Sequence, residues 1–325
     1  RKASIESEKE VPAMDFAPTP IQFLWEDEQG NRVYVKREDL LPYSFGGNKA
    51  RIGLEYLADM ERQGKDHLIA YGNARSNLCR VLSNLCCARN IPCTILSPAD
   101  DDGQRRPSFN QRFCESFGAQ IVPCLKTGVK ETVEQALNDS LRQGRKPYYI
   151  YGDSTGQGNL ATPVRAYRKV WPEILRQQQE LGCSFDRLFL AAGTGMTQAG
   201  LLCGRLLDGG DTEIHGISIA RSEENGKAHL RRYVEAFLGE KYHGPELQFT
   251  DRYALQYGVS TPEMAECARQ VFRRYGMPMD LTYVGKGYYG MVQEIRWLGL
   301  RNERILFLHT GGTPLFFDSQ METTR

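Results

Sequence analysis

Two short stretches of this sequence combine residue types that can do more than pack. The first is Lys36-Arg37-Glu38-Asp39-Leu40-Leu41-Pro42, followed by Phe45-Gly46-Gly47-Asn48-Lys49-Ala50-Arg51. Lys49 opens a helical pattern directly after a Gly-Gly turn. An ammonium there faces the positive end of the helix dipole. The neutral form is favoured, and a neutral amine is a nucleophile or a base. Taken alone, such a position is more often an ordinary surface lysine. The second stretch is an apolar run, 187–192, followed by Gly193-Thr194-Gly195-Met196-Thr197-Gln198-Ala199-Gly200. Strand, glycine turn and helix start place free backbone N–H groups and a positive partial charge where an anion can sit. Thr194 and Thr197 add hydroxyl donors. Gln198 stands where a dinucleotide fingerprint needs Gly or Ala, and no acid ends the next strand, which runs into Arg221. No Gly-Lys-Ser/Thr triplet of a nucleotide P-loop is present. A small phosphate monoester fits the loop best.

Two further stretches lie beside strands. Tyr71-Gly72-Asn73-Ala74-Arg75-Ser76-Asn77-Leu78-Cys79-Arg80 joins a strand to a helix, with Ser76 placed as N-cap. Its N–H groups and Ser/Asn side chains suit a carboxylate; capping alone is the alternative. Tyr283-Val284-Gly285-Lys286-Gly287-Tyr288-Tyr289-Gly290 and Leu308-His309-Thr310-Gly311-Gly312-Thr313-Pro314 form the last set. Tyr283 can stack on a planar ring, and Thr310 can hydrogen-bond a ring nitrogen. Packing in a half-exposed cleft is the alternative for the tyrosines.

The elements that position these residues alternate. Strand patterns fall at 33–36, 67–71, 93–96, 120–122, 148–151, 187–192, 214–220 and 305–308, with a short strand at 281–283. Helical periodicity covers 49–63, 76–89, 109–117, 129–142, 160–181, 197–207, 226–238, 262–275 and 288–298. Residues 1–20 read as a loose lead-in. This alternation predicts an α/β protein with mostly parallel twisted sheets flanked by helices. In such folds ligands bind at the carboxyl ends of strands, where all four stretches lie.

The 325 residues carry 41 Lys and Arg against 40 Asp and Glu, a net charge of +1. That balance, with only short runs such as Arg105-Arg106, Arg231-Arg232 and Arg273-Arg274, argues against a nucleic-acid partner. No run approaches the ~18 apolar residues of a membrane span, and residues 1–10 lack an apolar signal core. The nine cysteines form no Cys-x-x-Cys pair and the five histidines are scattered, so no metal site is expected. Free buried thiols point to a reducing, cytoplasmic setting.

These motifs occur in the same order as in a family of pyridoxal-phosphate enzymes. Over about residues 15–317 the chain resembles the D-cysteine desulfhydrase and 1-aminocyclopropane-1-carboxylate (ACC) deaminase group, which has fold type II (tryptophan synthase β-like). The resemblance implies pyridoxal 5'-phosphate as cofactor, held on Lys49 as a Schiff base. It implies that Gly193, Thr194, Gly195, Met196 and Thr197 hold the phosphate. Asn77 would meet the ring hydroxyl, Tyr283 the ring face and Thr310 the ring nitrogen. Lys49, Ser76 and Tyr283 are then the catalytic set, and Arg75, Ser76, Asn77 and Ser154 the substrate contacts. It further implies a large domain of 1–50 plus 159–325, a smaller α/β domain inserted at 51–158, and a homodimer.

ACC deaminases carry Glu after the stacking tyrosine and Leu in the slot of Thr310. Val284 and Thr310 stand here, which leans towards α,β-elimination on a small amino acid, releasing sulfide, pyruvate and ammonia from a cysteine. β-Replacement by a synthase, ACC deamination and a silent amino-acid-binding homologue stay as alternatives. Arg75-Ser76-Asn77-Leu78 replaces the family's Gln-Ser-Asn-His, and Gly152-Asp153-Ser154-Thr155 its Gly-Gly-Ser-Asn. Arg75 either grips a second carboxylate or points away.

Overall fold

A computed structural model describes residues 16–99 and 108–322; residues 1–15 and the Arg105-Arg106 pair lie outside them. The chain opens with β1 (Ile21–Glu26) and β2 (Arg32–Lys36), an antiparallel hairpin whose turn is held by the Asp27 carboxylate. Then follow α1 (Asn48–Arg62), β3 (His67–Tyr71), α2 (Asn77–Ala88), β4 (Cys93–Pro98), α3 (Phe109–Ser116), β5 (Gln120–Cys124), α4 (Val129–Arg142) and β6 (Pro147–Tyr149). The second half runs α5 (Ala161–Leu181), β7 (Arg187–Ala192), α6 (Met196–Asp208), β8 (Glu213–Ser218), α7 (Glu223–Leu238), β9 (Gln248–Thr250), α8 (Pro262–Tyr275), α9 (Val284–Trp297), β10 (Arg304–Leu308) and α10 (Thr313–Glu322).

The strands form two sheets. One has the order β1-β2-β10-β7-β8-β9 and is parallel except for β1; the other, β5-β4-β3-β6, is wholly parallel. Continuous apolar strands are what a parallel sheet covered on both faces requires. In β10, Leu306 and Leu308 enter one core while Ile305 and Phe307 enter another on the opposite face. β7 divides in the same way, Leu188 and Leu190 against Phe189. Leu68 and Ala70 of β3 join the core that holds Leu306 and Leu308, so one face of each sheet shares a single apolar interior. Burial of each such Leu, Ile or Phe contributes roughly 1.5–3 kcal/mol. All nine cysteines are free thiols, six of them buried. No helix among the described residues is long and apolar enough to cross a membrane.

The α/β alternation of the sequence is present, with three differences. The acidic, proline-flanked stretch before β2 forms β1, because Val33 and Val35 of β2 leave a sheet edge for it to pair with. The short strands β9 and the C-terminal α10 carry no periodic signal long enough to be read. Residues 281–283, expected as a strand, are a turn. There the buried Asp280 carboxylate accepts from the N–H groups of Thr282, Tyr283 and Val284 at 2.8, 2.7 and 3.2 Å, and starts α9 four residues earlier than its apolar pattern suggests. Tyr283 therefore sits at a helix N-terminus and not after a strand.

Candidate active site

Lys49 is delivered by an unusual run of backbone. Tyr43, Ser44, Phe45, Gly46 and Gly47 all have left-handed φ values, from 43° to 95°. Such conformations cost of order 1 kcal/mol or more at non-glycine residues, so surrounding contacts must hold them. The charged motif before the loop does this. The Gly47 N–H donates to the Glu38 carbonyl at 2.9 Å. The buried Glu38 carboxylate accepts from Arg51 at 2.7 and 3.1 Å, from the Thr19 hydroxyl at 2.6 Å and from the Tyr167 hydroxyl at 2.7 Å. Burial alone would raise this carboxyl; Arg51 outweighs it and holds Glu38 below its ordinary value. Lys36 is buried in an ion pair with Glu173. The charges of this motif are thus spent on architecture.

The turn ends against a second one. The Asn48 N–H donates to the Thr310 carbonyl at 3.1 Å, and a Cβ on Gly47 would lie 2.8 Å from that same oxygen. A Cβ on Gly311 would lie 2.5 Å from the Gly47 Cα. Only glycine on both sides permits this backbone contact, which sets Lys49 and Thr310 on one wall. The neighbouring His309 is buried and its pKa is pushed down, first by burial. Its Nε2 donates to the Pro278 carbonyl at 3.0 Å and its Nδ1 accepts from the Gly311 N–H at 3.2 Å, which fixes the neutral ring and the turn together. Burial lowers the half-buried Lys49 amine from 10.5 to about 8. The helix N-terminus acts in the same direction.

The phosphate-type loop stands opposite. Gly195 takes φ 90° and Met196 starts α6. Thr197 Oγ1 accepts from the Asn48 side-chain amide at 2.9 Å. Arg221, which follows β8, donates from Nε to the Gly193 carbonyl at 2.9 Å and lines the same cavity. At the start of α2, Ser76 Oγ accepts from the Cys79 N–H at 3.1 Å, as a cap does, and keeps its own proton to donate. Asn77 Oδ1 accepts from Asn110 at 2.9 Å and from Arg80 at 3.4 Å, which leaves its NH2 as the end able to reach a ligand. Tyr283 shares a hydroxyl–hydroxyl hydrogen bond with Tyr257, their rings 5.7 Å apart at 74°.

A cavity of about 340 Å³ brings together Lys49, Ser76, Asn77, Gly193, Thr194, Gly195, Met196, Thr197, Tyr283 and Thr310. Its donors fit a planar ring bearing a phosphate: an amine of low basicity, a helix N-terminus with two hydroxyls, an arginine, a tyrosine and a neutral threonine. An outer cleft of about 870 Å³ adjoins it and is lined by Arg75, Ser76 and Ser154. Ser154 donates to Glu134 at 2.9 Å and does not line the inner cavity. Arg221, Tyr257 and Asn110 were not singled out from sequence. Arg221 alone had a usable signal, its place at the carboxyl end of a strand.

Residues 13–311 match a family model described as pyridoxal-phosphate dependent enzyme. Among solved structures, an ACC deaminase homologue is 28% identical at a TM-score of 0.80, over 95% of this chain and 94% of its own. A hydrogen sulfide-producing enzyme from Fusobacterium nucleatum is 17% identical at a TM-score of 0.59, over 91% and 95%. An O-ureido-L-serine synthase is 14% identical at a TM-score of 0.63, over 92% of each chain. The last two share the fold.

Proposed function

The chain belongs to the pyridoxal-phosphate dependent enzyme family, and from that premise we propose that it catalyses α,β-elimination on a small amino acid, as a D-cysteine desulfhydrase does. The observation that carries this reading is the pair Val284 and Thr310. No glutamate follows Tyr283 to assist ring opening of ACC, and the neutral Thr310 lines the cavity that holds Lys49. The bound cofactor supplies the electron sink for the α-carbon. The protein's residues do the rest. Lys49 Nζ receives the α-proton; an amine with a pKa of about 8 is a competent base near neutral pH. Ser76 and the N-terminus of α2 take the substrate carboxylate. Tyr283 covers the ring face and Asn77 fixes its tilt. As the α-proton leaves, the Cβ–S bond breaks and the electron pair departs with sulfur. Hydrolysis of the remaining unsaturated amine gives pyruvate and ammonia.

The same reading takes residues 51–158 as a small domain that closes over substrate, and the protein as a homodimer. β-Replacement is the second reading, favoured by the outer cleft, which has room for an incoming nucleophile. D-Cysteine is the first substrate to offer. Sulfide and pyruvate in equal amounts, abolished by Lys49→Ala, are expected. A new amino acid accumulating without pyruvate would select replacement, and wild-type pyruvate release by Lys49→Ala would overturn both.

A further inference from the structure

Ser76, Tyr151, Thr194, Arg221, Tyr257 and Tyr283 line both the inner cavity and the outer cleft, and so form the neck between them. Most of their polar ends are engaged. Ser76 Oγ caps α2, Arg221 Nε holds the Gly193 carbonyl, and the Tyr257 and Tyr283 hydroxyls meet each other. Thr194 belongs to the glycine turn that starts α6. Tyr151 remains. Among the described residues its hydroxyl has no hydrogen-bond partner. The oxygen is not sealed in the core, as the nearby Tyr56 hydroxyl is. It opens on the two spaces that the half-buried residue lines.

The backbone around Tyr151 is fixed on both sides. The Ile150 N–H continues the β6 ladder by donating to the Ile69 carbonyl at 3.1 Å, and the Ile150 carbonyl accepts from the Asn159 amide at 3.0 Å. The Gly152 N–H donates to the Tyr149 carbonyl at 2.8 Å. A Cβ on Gly152 would lie 2.5 Å from the Gly158 backbone, so the chain turns away directly after Tyr151. The Tyr151 ring meets the Tyr149 ring edge-on at 5.6 Å and packs against the shared apolar interior. A hydroxyl held in this way, just past the carboxyl end of a parallel strand, is preorganised for a ligand. Burial first, then the nearby Tyr233, push its pKa well above 10, so it stays protonated and can donate. The sequence pointed to Ser154 as the substrate contact of this turn. Ser154 donates to Glu134 and stays out of the inner cavity, whereas Tyr151 lines it.

On the function proposed above, the amine of an amino acid is directed at Lys49 and its carboxylate at the N-terminus of α2. Its side chain then leaves through the neck. A donor there that only solvent satisfies is served by a side-chain heteroatom. A methylene in the same place displaces the solvent and leaves the donor unpaired, which weakens binding. We infer that Tyr151 is a specificity-determining contact: its hydroxyl donates to the heteroatom on the substrate's Cβ, so an amino acid with oxygen or sulfur there binds in preference to its hydrocarbon isostere. This rests on the reading of the inner cavity as the amino-acid site, but not on the reaction that follows.

The test is a visible-absorption titration of the holoenzyme with isosteric pairs in both enantiomers: serine against 2-aminobutyrate, and O-methylserine against norvaline. In at least one pair the oxygen-bearing member should half-saturate at a concentration about fivefold lower, the effect of one hydrogen bond made against one left unmade. Tyr151→Phe should bring that ratio to about twofold or less. The hydroxyl makes no hydrogen bond in the free protein, so the variant should keep its melting temperature and its cofactor band. A residue that only packs would leave the ratio where it was. Ratios under about threefold in every pair of the native protein, or a ratio that Tyr151→Phe does not at least halve, overturn the inference. Loss of the cofactor band in Tyr151→Phe would assign the hydroxyl to the cofactor and overturn it too. Pyruvate assays run alongside keep the two readings apart. D-Cysteine turned over with flat ratios removes this inference and spares elimination. The expected ratios with no pyruvate from D-cysteine remove elimination and spare this inference.

Discussion

Asn48, the residue before Lys49, donates its side-chain amide to Thr197 Oγ1 at 2.9 Å. That bond ties the first turn of α1, which carries the Lys49 amine, to the first turn of α6, which follows the Gly193–Gly195 turn. Both partners are buried, so the geometry between the two helix starts is held away from water. Asn48→Ala leaves Thr197 without this donor, a loss of about 1–1.5 kcal/mol. The dissociation constant for pyridoxal phosphate should rise roughly 5- to 10-fold. Equilibrium titration of cofactor-free protein measures it, and an unchanged constant would show that the two helix starts are positioned independently.

The Lys49 amine gives a pH signature. With its pKa lowered by burial from 10.5 to about 8, the neutral fraction rises about tenfold per pH unit below 8 and levels above it. Attachment of pyridoxal phosphate to the cofactor-free protein should follow that curve, observed by stopped-flow absorbance. A midpoint near 10.5 would mean that the amine is solvated. The folded value lies below the unfolded one, so the cofactor-free fold bears a cost at pH below about 8, which fades as the pH rises towards 10.5. The melting temperature should respond with that sign.

Asn110 is a positioning residue for Asn77. Its amide donates to Asn77 Oδ1 at 2.9 Å and to the Arg75 carbonyl at 3.0 Å, from a fully buried place on α3. Arg80 supports the same oxygen from within the core, where burial lowers its pKa to about 10. Asn110→Ala lets the Asn77 amide turn, so its Oδ1 is no longer held and the amide that lines the cavity loses its orientation. Pyruvate formation should fall about tenfold, the effect of one loosened hydrogen bond at a reacting group. A purely structural role would lower stability alone. The orienting role also moves the pH midpoint of the visible cofactor band, which a spectrophotometric titration reads.

How much of this was legible follows from where each residue gets its position. Lys49, Thr194, Thr197, Ser76 and Thr310 lie at strand ends or helix starts marked by glycines and caps, and the structure brings them to one cavity. Local chemistry fixes those turns, so sequence reports them. Tyr257 and Arg221 come from irregular connections, and Asn110 from a helix whose facing depends on the packing of α3 on α2; such contacts are tertiary. The turn at 281–283 was misread because Leu281-Thr282-Tyr283 has strand-like composition, whereas a single buried carboxylate at 280 overrides it. The Lys36–Asp39 motif looked chemical and is structural, since its partners Glu173 and Tyr167 lie over a hundred residues away.

Tyr257 offers the sharpest test of how Tyr283 works. Burial keeps the Tyr283 hydroxyl protonated, and the residue has two constraints on it: its N–H is held by Asp280 at 2.7 Å, and its hydroxyl meets that of Tyr257. Tyr257 in turn reaches Asn73 Oδ1 at 3.5 Å, in the turn that leads to Ser76 and Asn77. The two tyrosines therefore link the start of α9 to the turn before α2 across the cavity. Tyr257→Phe keeps the ring packing and removes this link, which costs about 1 kcal/mol of orientation. Cofactor affinity should stay within about twofold, because the phosphate loop and Lys49 are untouched, while kcat falls roughly fivefold. Asp280→Ala acts on the other constraint. It orphans three N–H donors at the start of α9, and should cost about 2–4 kcal/mol of stability along with cofactor binding. If Tyr257→Phe instead lost cofactor as readily as Asp280→Ala, the hydroxyl pair would be part of the cofactor's hold and not of the catalytic geometry.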